Sequence, residues 1–217
     1  MQKISLFNPE DGPVTVLALG AHADDIEIGC GGTILRLASE IADLEMIWVV
    51  FCATSERSIE AQHSASSFLK KVKRKRILIY NHRDGYLSYD GAAIKEEFES
   101  LKRECTPKLI FTHFREDRHQ DHRLISELTW NTWRNHLILE YEIPKYDGDL
   151  GSPNFFSRLD NDILERKLAL ILRNFPSQRD KHWFSADLLR GLARIRGVEC
   201  ATSDGFAEGF HCRKLAF

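Results

Sequence analysis

The chain has 217 residues, 43% apolar and 29% charged, with 30 Lys and Arg against 32 Asp and Glu for a formal net charge of -2. That length predicts one to two domains with enough apolar material for a real core. The charge balance lacks the basic surplus of a nucleic-acid binder, and no run approaches the ~18 consecutive apolar residues of a membrane span.

The N-terminal segment MQKISLFNPEDG carries an acidic pair and a proline where a secretory leader needs an apolar run, so the chain is read as cytoplasmic. Residues 14–19 form the first predicted strand, an apolar run buried on both faces. The polar loop Gly20-Ala21-His22-Ala23-Asp24-Asp25-Ile26-Glu27 follows, then Gly29-Cys30-Gly31-Gly32-Thr33. Ile34, Leu35, Leu37, Ala38 and Ile41 then share one helical stripe. Further strands are predicted at 44–52, 76–80 and 108–112. Between them lie helical stripes of Ala61, Ala65, Phe68, Leu69 and Val72, and of Ile94, Phe98 and Leu101.

Strand and helix alternating in this way predict a single α/β domain over residues 1–217. Its sheet is Rossmann-like and mostly parallel, with helices on both faces and a site at the C-terminal rim of the strands. Beyond His122 the pattern predicts a helix at 124–137, a strand at 137–143, a loop at 144–153 and helices at 160–174 and 187–196. The five cysteines, Cys30, Cys52, Cys105, Cys200 and Cys212, are odd in number and form no C-x-x-C, which predicts reduced structural thiols.

Two loops carry the chemistry. In the first, His22 and Asp25 are spaced to reach one divalent ion, leaving Asp24 free to handle protons. Helix capping is the plainer role for two adjacent aspartates, but a cap needs no histidine beside them. The second loop runs His113-Phe114-Arg115-Glu116-Asp117-Arg118-His119-Gln120-Asp121-His122-Arg123 and opens on the same rim. Alone it reads equally well as a solvated charge run. Taken with the first loop, His122 completes a two-histidine, one-carboxylate set that leaves positions open, as a catalytic site requires. Asp121 then orients a histidine and His119 is a free imidazole beside the ion.

Ala-His-Ala-Asp-Asp, Glu-Ile-Gly-Cys-Gly-Gly-Thr and His-Gln-Asp-His-Arg together resemble the LmbE-like/PIG-L family of metal-dependent N-deacetylases. Weaker matches are Asp84-Gly85, Ser177-Gln178 and Ala207-Glu208-Gly209-Phe210, so the resemblance spans nearly the whole chain. Two positions depart from the family pattern: Ala23 replaces a proline, and Ile26 stands where a glutamate follows the aspartates, with Glu27 next. The resemblance implies that His22, Asp25 and His122 are metal ligands and that Asp24 is general base, then general acid. It implies that His119 stabilises the oxyanion, that Asp121 holds a nearby histidine and that Arg57 contacts substrate. The implied cofactor is Zn²⁺, with Fe²⁺ also suited to the donors. The implied substrate is a small N-acetylated amino sugar of the N-acetylglucosamine type. Relatives are often oligomers, which implies further copies of the chain as partners.

Two other functions fit parts of the pattern. A metal phosphoesterase would use the same strand-end carboxylates, but two-metal sites call for more of them than Asp24, Asp25 and Asp121. A non-catalytic sugar- or nucleotide-binding module would use the glycine-rich first turn, but Gly29-Cys30-Gly31-Gly32 does not fit G-x-G-x-x-G. Tyr86, Tyr146, Phe155, Phe156 and Trp183 are candidates for an aromatic wall against a sugar, and 146–154 for a lid. His63, His82, His136 and His182 read as structural. His113 and His211 have a lesser claim on the rim. The basic run from Lys70 to Arg76 reads as a solvated helix end.

Overall fold

The computed structural model describes residues 4–7 and 12–216. Seven strands form one sheet: β1 (Val14–His22), β2 (Leu44–Cys52), β3 (Arg74–Ile79), β4 (Leu109–His113), β5 (Leu137–Tyr141), β6 (Phe155–Leu159) and β7 (Phe206–Cys212). Their spatial order is β3-β2-β1-β4-β5-β7-β6. The first five are parallel, and β7 runs antiparallel to both β5 and β6. The chain leaves β1 toward β2 and β3, then returns to place β4 on the other side of β1. That reversal opens a crevice at the carboxyl ends of β1 and β4, where open α/β sheets bind ligands.

Alternate residues of β1 feed two cores. Val16 and Ala18 pack with α1 (Asp25–Glu40), α2 (Ser55–Phe68), α5 (Asn161–Asn174) and α6 (Ala186–Glu199). Leu17, Leu19 and Ala21 pack with α3 (Gly91–Glu104) and α4 (Gln120–Thr132) on the other face. The strands lack polar alternation because both of their faces are buried.

Three expectations change. The first helix starts at Asp25, nine residues before the apolar stripe at Ile34, so the glycines lie inside α1 and not in a loop. They serve close packing: a Cβ at Gly29 would stand 2.1 Å from the Tyr141 ring, and one at Gly32 2.9 Å from a Glu208 oxygen. Contacts this tight account for residues that cost a helix interior about 1 kcal/mol each relative to Ala. The fourth helix begins at Gln120 and ends at Thr132, because His119 caps it. Strands β6 and β7 were not read from the sequence at all, and they form the antiparallel end of the sheet.

The basic run straddles a turn and the start of β3, and its last three residues are paired. Lys75 Nζ donates to the carbonyls of Leu69 and Val72, Arg74 pairs with Asp43, and Arg76 with Glu104. No helix among the described residues is long and apolar enough to cross a membrane.

Candidate active site

The β1–α1 turn and the β4–α4 loop meet over the crevice. His22 is the last residue of β1, Asp25 the first of α1, and His122 lies in the first turn of α4. His22 Nδ1 stands 3.1 Å from His122 Nε2 and 3.3 Å from Asp25 Oδ2, and His122 Nε2 stands 3.5 Å from the same Asp25 oxygen. The predicted donors therefore form a small triangle. Asp25 Oδ2 also accepts the His22 backbone N–H at 2.6 Å, which locks the turn. Burial opposes charge on Asp25, but His122, His113 and His22 outweigh it and hold its carboxyl well below the usual range.

Each histidine of the triangle has a carboxylate behind it. Asp117 Oδ2 lies 2.9 Å from His122 Nδ1. Asp121 Oδ2 lies 3.4 Å from His22 Nε2, and the exposed Asp84 3.2 Å from the same nitrogen. Asp121 is itself fixed by the backbone N–H groups of Gly85, at 2.7 Å, and Leu87, at 3.2 Å. Such partners set ring orientation and ligand basicity. Burial pushes His122 down to about 4, with His113 adding to the effect, so its imidazole is neutral near neutral pH. Burial also works against charge on His22, but Asp25, Asp121 and Asp84 reverse it and raise that pKa well above normal.

Asp24 occupies the N-cap position of α1 but makes no side-chain cap, so capping does not explain it. Its Oδ1 pairs with Arg57 Nη2 at 2.9 Å, while its Oδ2 is buried without a hydrogen-bond partner. Burial raises its pKa and Arg57 pulls it back. Arg57, in the first turn of α2, also reaches Glu60 Oε2 at 3.1 Å and Ser177 Oγ at 3.4 Å, with its guanidinium 5.3 Å from the Phe175 ring centre. Glu60 in turn accepts from the Ser177 backbone N–H at 2.9 Å, which ties the Ser177-Gln178 segment to α2.

His119 lies beside His22 and His122, with ring centres 4.8 and 4.6 Å away. Its Nδ1 accepts the Asp121 N–H at 3.3 Å as part of the helix cap, so the ring proton sits on Nε2, which is left to donate. Burial, helped by His22, lowers its pKa and keeps it neutral.

Residues 17–133 match the family model described as "PIG-L: GlcNAc-PI de-N-acetylase". The chain belongs to the PIG-L family. The matched span runs from β1 through α4 and contains both loops. A curated relative, the "Uncharacterized deacetylase YaiS" of Escherichia coli (strain K12), is 26% identical over 166 residues, covering 73% of this chain and 89% of its own. The N,N'-diacetylchitobiose deacetylase from Pyrococcus horikoshii superposes with a TM-score of 0.73 at 24% identity, covering 96% of this chain and 87% of that one. GalB, the 4-carboxy-2-hydroxymuconate hydratase from Pseudomonas putida KT2440, superposes at 0.74 with 16% identity, covering 94% and 98%. The last pair shows that the sheet alone does not fix the reaction. The family model and the deacetylase relative supply what the sheet does not: this PIG-L chain is an amide hydrolase.

Several residues around the triangle have no signal in the sequence. Asp117 backs His122 while Asp121 faces His22, and Lys145 Nζ donates to that same Asp117 oxygen at 2.9 Å. His113 is fully buried behind the donors and has no access to a substrate. The acidic content of the second loop was visible, but which carboxylate meets which ring depends on the turn at 114–119. Ile26 is fully buried in the core. Glu27 is buried too, with neither carboxyl oxygen hydrogen-bonded, and burial pushes its pKa well up. Of the aromatic candidates, Phe155 and Trp183 pack on the core. Tyr146 is exposed, and Tyr86, beside Asp84 and Gly85, is partly exposed with the Arg83 guanidinium over its ring. His211 stacks on Phe114.

Proposed function

We propose that this PIG-L protein removes the acetyl group from a small N-acetylated amino sugar, using one divalent cation held by His22, Asp25 and His122. The observation that carries the reading is the donor triangle with Asp24 Oδ2 unpartnered beside it. An ion with bonds of about 2.0–2.2 Å to nitrogen and oxygen needs donors roughly 3.0–3.5 Å apart, which is the spacing here. Two imidazole nitrogens, with His22 giving up its proton as the ion binds, and one carboxylate suit Zn²⁺ first, with Fe²⁺ second. The amino-sugar substrate draws support from the Pyrococcus horikoshii relative, whose name gives N,N'-diacetylchitobiose as substrate.

When bound, such an ion polarises an amide carbonyl and makes water a better acid. Asp24 takes a proton from the attacking water on its free Oδ2, with Oδ1 held by Arg57. The water oxygen bonds to the acetyl carbon. His119 donates from Nε2 to the carbonyl oxygen as negative charge builds there. The carbon–nitrogen bond then breaks, Asp24 returns its proton to the amine nitrogen, and the acetic acid formed loses its remaining proton to solvent and leaves as acetate. Asp121 and Asp84 hold His22, and Asp117 holds His122. The exposed edge of Arg57 meets the substrate.

The test is metal content of the purified chain and of His122→Ala, with acetate release from N-acetylated amino sugars measured on both. About one zinc or iron per chain, lost together with acetate release in the variant, is the expected result. A folded wild-type chain that takes up no divalent ion after supplementation would sink the reading.

A further inference from the structure

His113 ends β4 and is fully buried. It touches the support of all three donors proposed above. Its Nε2 accepts the backbone N–H of Ala21, the residue before His22, at 2.9 Å. The same nitrogen lies 3.3 Å from Asp25 Oδ2. Its ring stacks on His122 with centres 3.9 Å apart and planes 17° from parallel. Tyr141 closes the other side: its hydroxyl donates to the Leu19 carbonyl at 2.7 Å and sits 3.2 Å from His113 Nε2.

The tautomer follows from the contacts. An N–H aimed at Nε2 requires a lone pair there, so the ring proton is on Nδ1. Nδ1 is buried and has no hydrogen-bond partner in the structure. Leaving that N–H unsatisfied is costly, and a phenylalanine would carry no such cost. The feature that only the histidine supplies is the Nε2 acceptor. Geometry alone also allows His113 to join Asp25 and His122 around an ion. Its lone pair, however, is committed to Ala21, and using it for an ion would release the end of β1 that carries His22.

We infer that His113 is a positioning residue, not a fourth ligand: its Nε2 fixes the end of β1 that carries His22, and its face sets the plane of His122. The inference rests on the metal reading above. It predicts different losses for the two halves of the side chain. His113→Phe keeps the flat face against His122 and loses the acceptor. His113→Asn keeps an acceptor and loses the face.

Co²⁺ serves as the probe. Its affinity, its visible absorption spectrum and its count of nitrogen ligands by X-ray absorption are measured on the wild type and both variants. Long-range ¹⁵N–¹H correlation NMR of the wild-type chain reports the His113 tautomer. The expected results are a wild-type His113 ring with its lone pair on Nε2 and one Co²⁺ per chain in all three proteins. The nitrogen-ligand count stays unchanged, the spectra of both variants shift, and their affinity falls by roughly 10–100-fold. A variant that loses one nitrogen ligand would make His113 a donor and overturn the inference. So would a His113→Phe protein with wild-type affinity and spectrum, or a wild-type ring protonated on Nε2. If the variants fail to fold, the wild-type tautomer decides. If the wild type binds neither Co²⁺ nor Zn²⁺, the metal reading falls and takes this one with it, whereas a lost nitrogen ligand or an unchanged His113→Phe protein overturns only the role of His113.

Discussion

Helix α1 is gripped by two buried polar clusters that differ in how completely their groups are paired. At its third turn Glu208 accepts from the backbone N–H groups of Gly32 and Thr33 and from Lys167 Nζ, each at 2.7 Å. Lys167 also donates to the Ile28 carbonyl at 2.7 Å, and nearby Arg196 is paired with Glu142 and Glu199. At its first turn stand Asp24, Asp25, His22, His113 and His122, and here Asp24 Oδ2 and His113 Nδ1 are buried without partners. A saturated cluster can only hold things together. An unsaturated one keeps capacity for something that arrives. Both contain buried ionisable side chains, so burial alone does not separate scaffold from site.

The comparison breaks most clearly at Asp24. Asp24→Asn should keep the metal near the wild-type level and lose acetate release by about 10²–10⁴-fold, because only the proton acceptor is removed. Full activity in that variant would place Asp24 among the scaffold residues. On the saturated side, Lys167→Met leaves Glu208 charged and buried without its cation. Unfolding in urea should show a loss of about 3 kcal/mol with metal content unchanged, as for one half of a broken buried pair.

Arg57→Met sharpens the electrostatics of the unsaturated side. Asp24 must be ionised to take a proton, so activity falls as pH drops through its pKa. Burial raises that pKa and Arg57 lowers it, so removing the guanidinium raises it further. The acid limb of kcat/KM should therefore move to higher pH, and a limb that stays in place would separate Asp24 from it. The smallest effect belongs outside both clusters. The Arg76–Glu104 pair is about two-fifths exposed on each side, and Arg76→Ala should change stability by no more than ~1 kcal/mol.

The parallel half of the fold was legible because its strands are apolar on both faces and its helices amphipathic. Its antiparallel end was not. In β7, Phe206 to Cys212 mixes Ala, Glu, Gly and His with two phenylalanines, and Glu208 faces inward only because α1 and Lys167 satisfy it. Sequence patterning cannot show a buried glutamate whose partners lie some 40 and 175 residues away. The triangle itself was legible, since His22, Asp25 and His122 end up within hydrogen-bonding distance as their loops suggested. What stands behind it was not. Asp117 looked like one charge among many, and Lys145 lay in a stretch read only as loop. Their roles arise from a turn that places residues 117 and 122 face to face.

The supports of the site extend well past the segment that carries its donors. The family match ends at residue 133. Yet Tyr141 backs His113, Lys145 steadies Asp117, Ser177 anchors Glu60 beneath Arg57, and Glu208 pins α1 from the last strand. The half that carries the proposed donors is therefore not an excisable module. Grafting its two loops onto another parallel sheet would carry over every donor and leave behind the residues that keep them aimed.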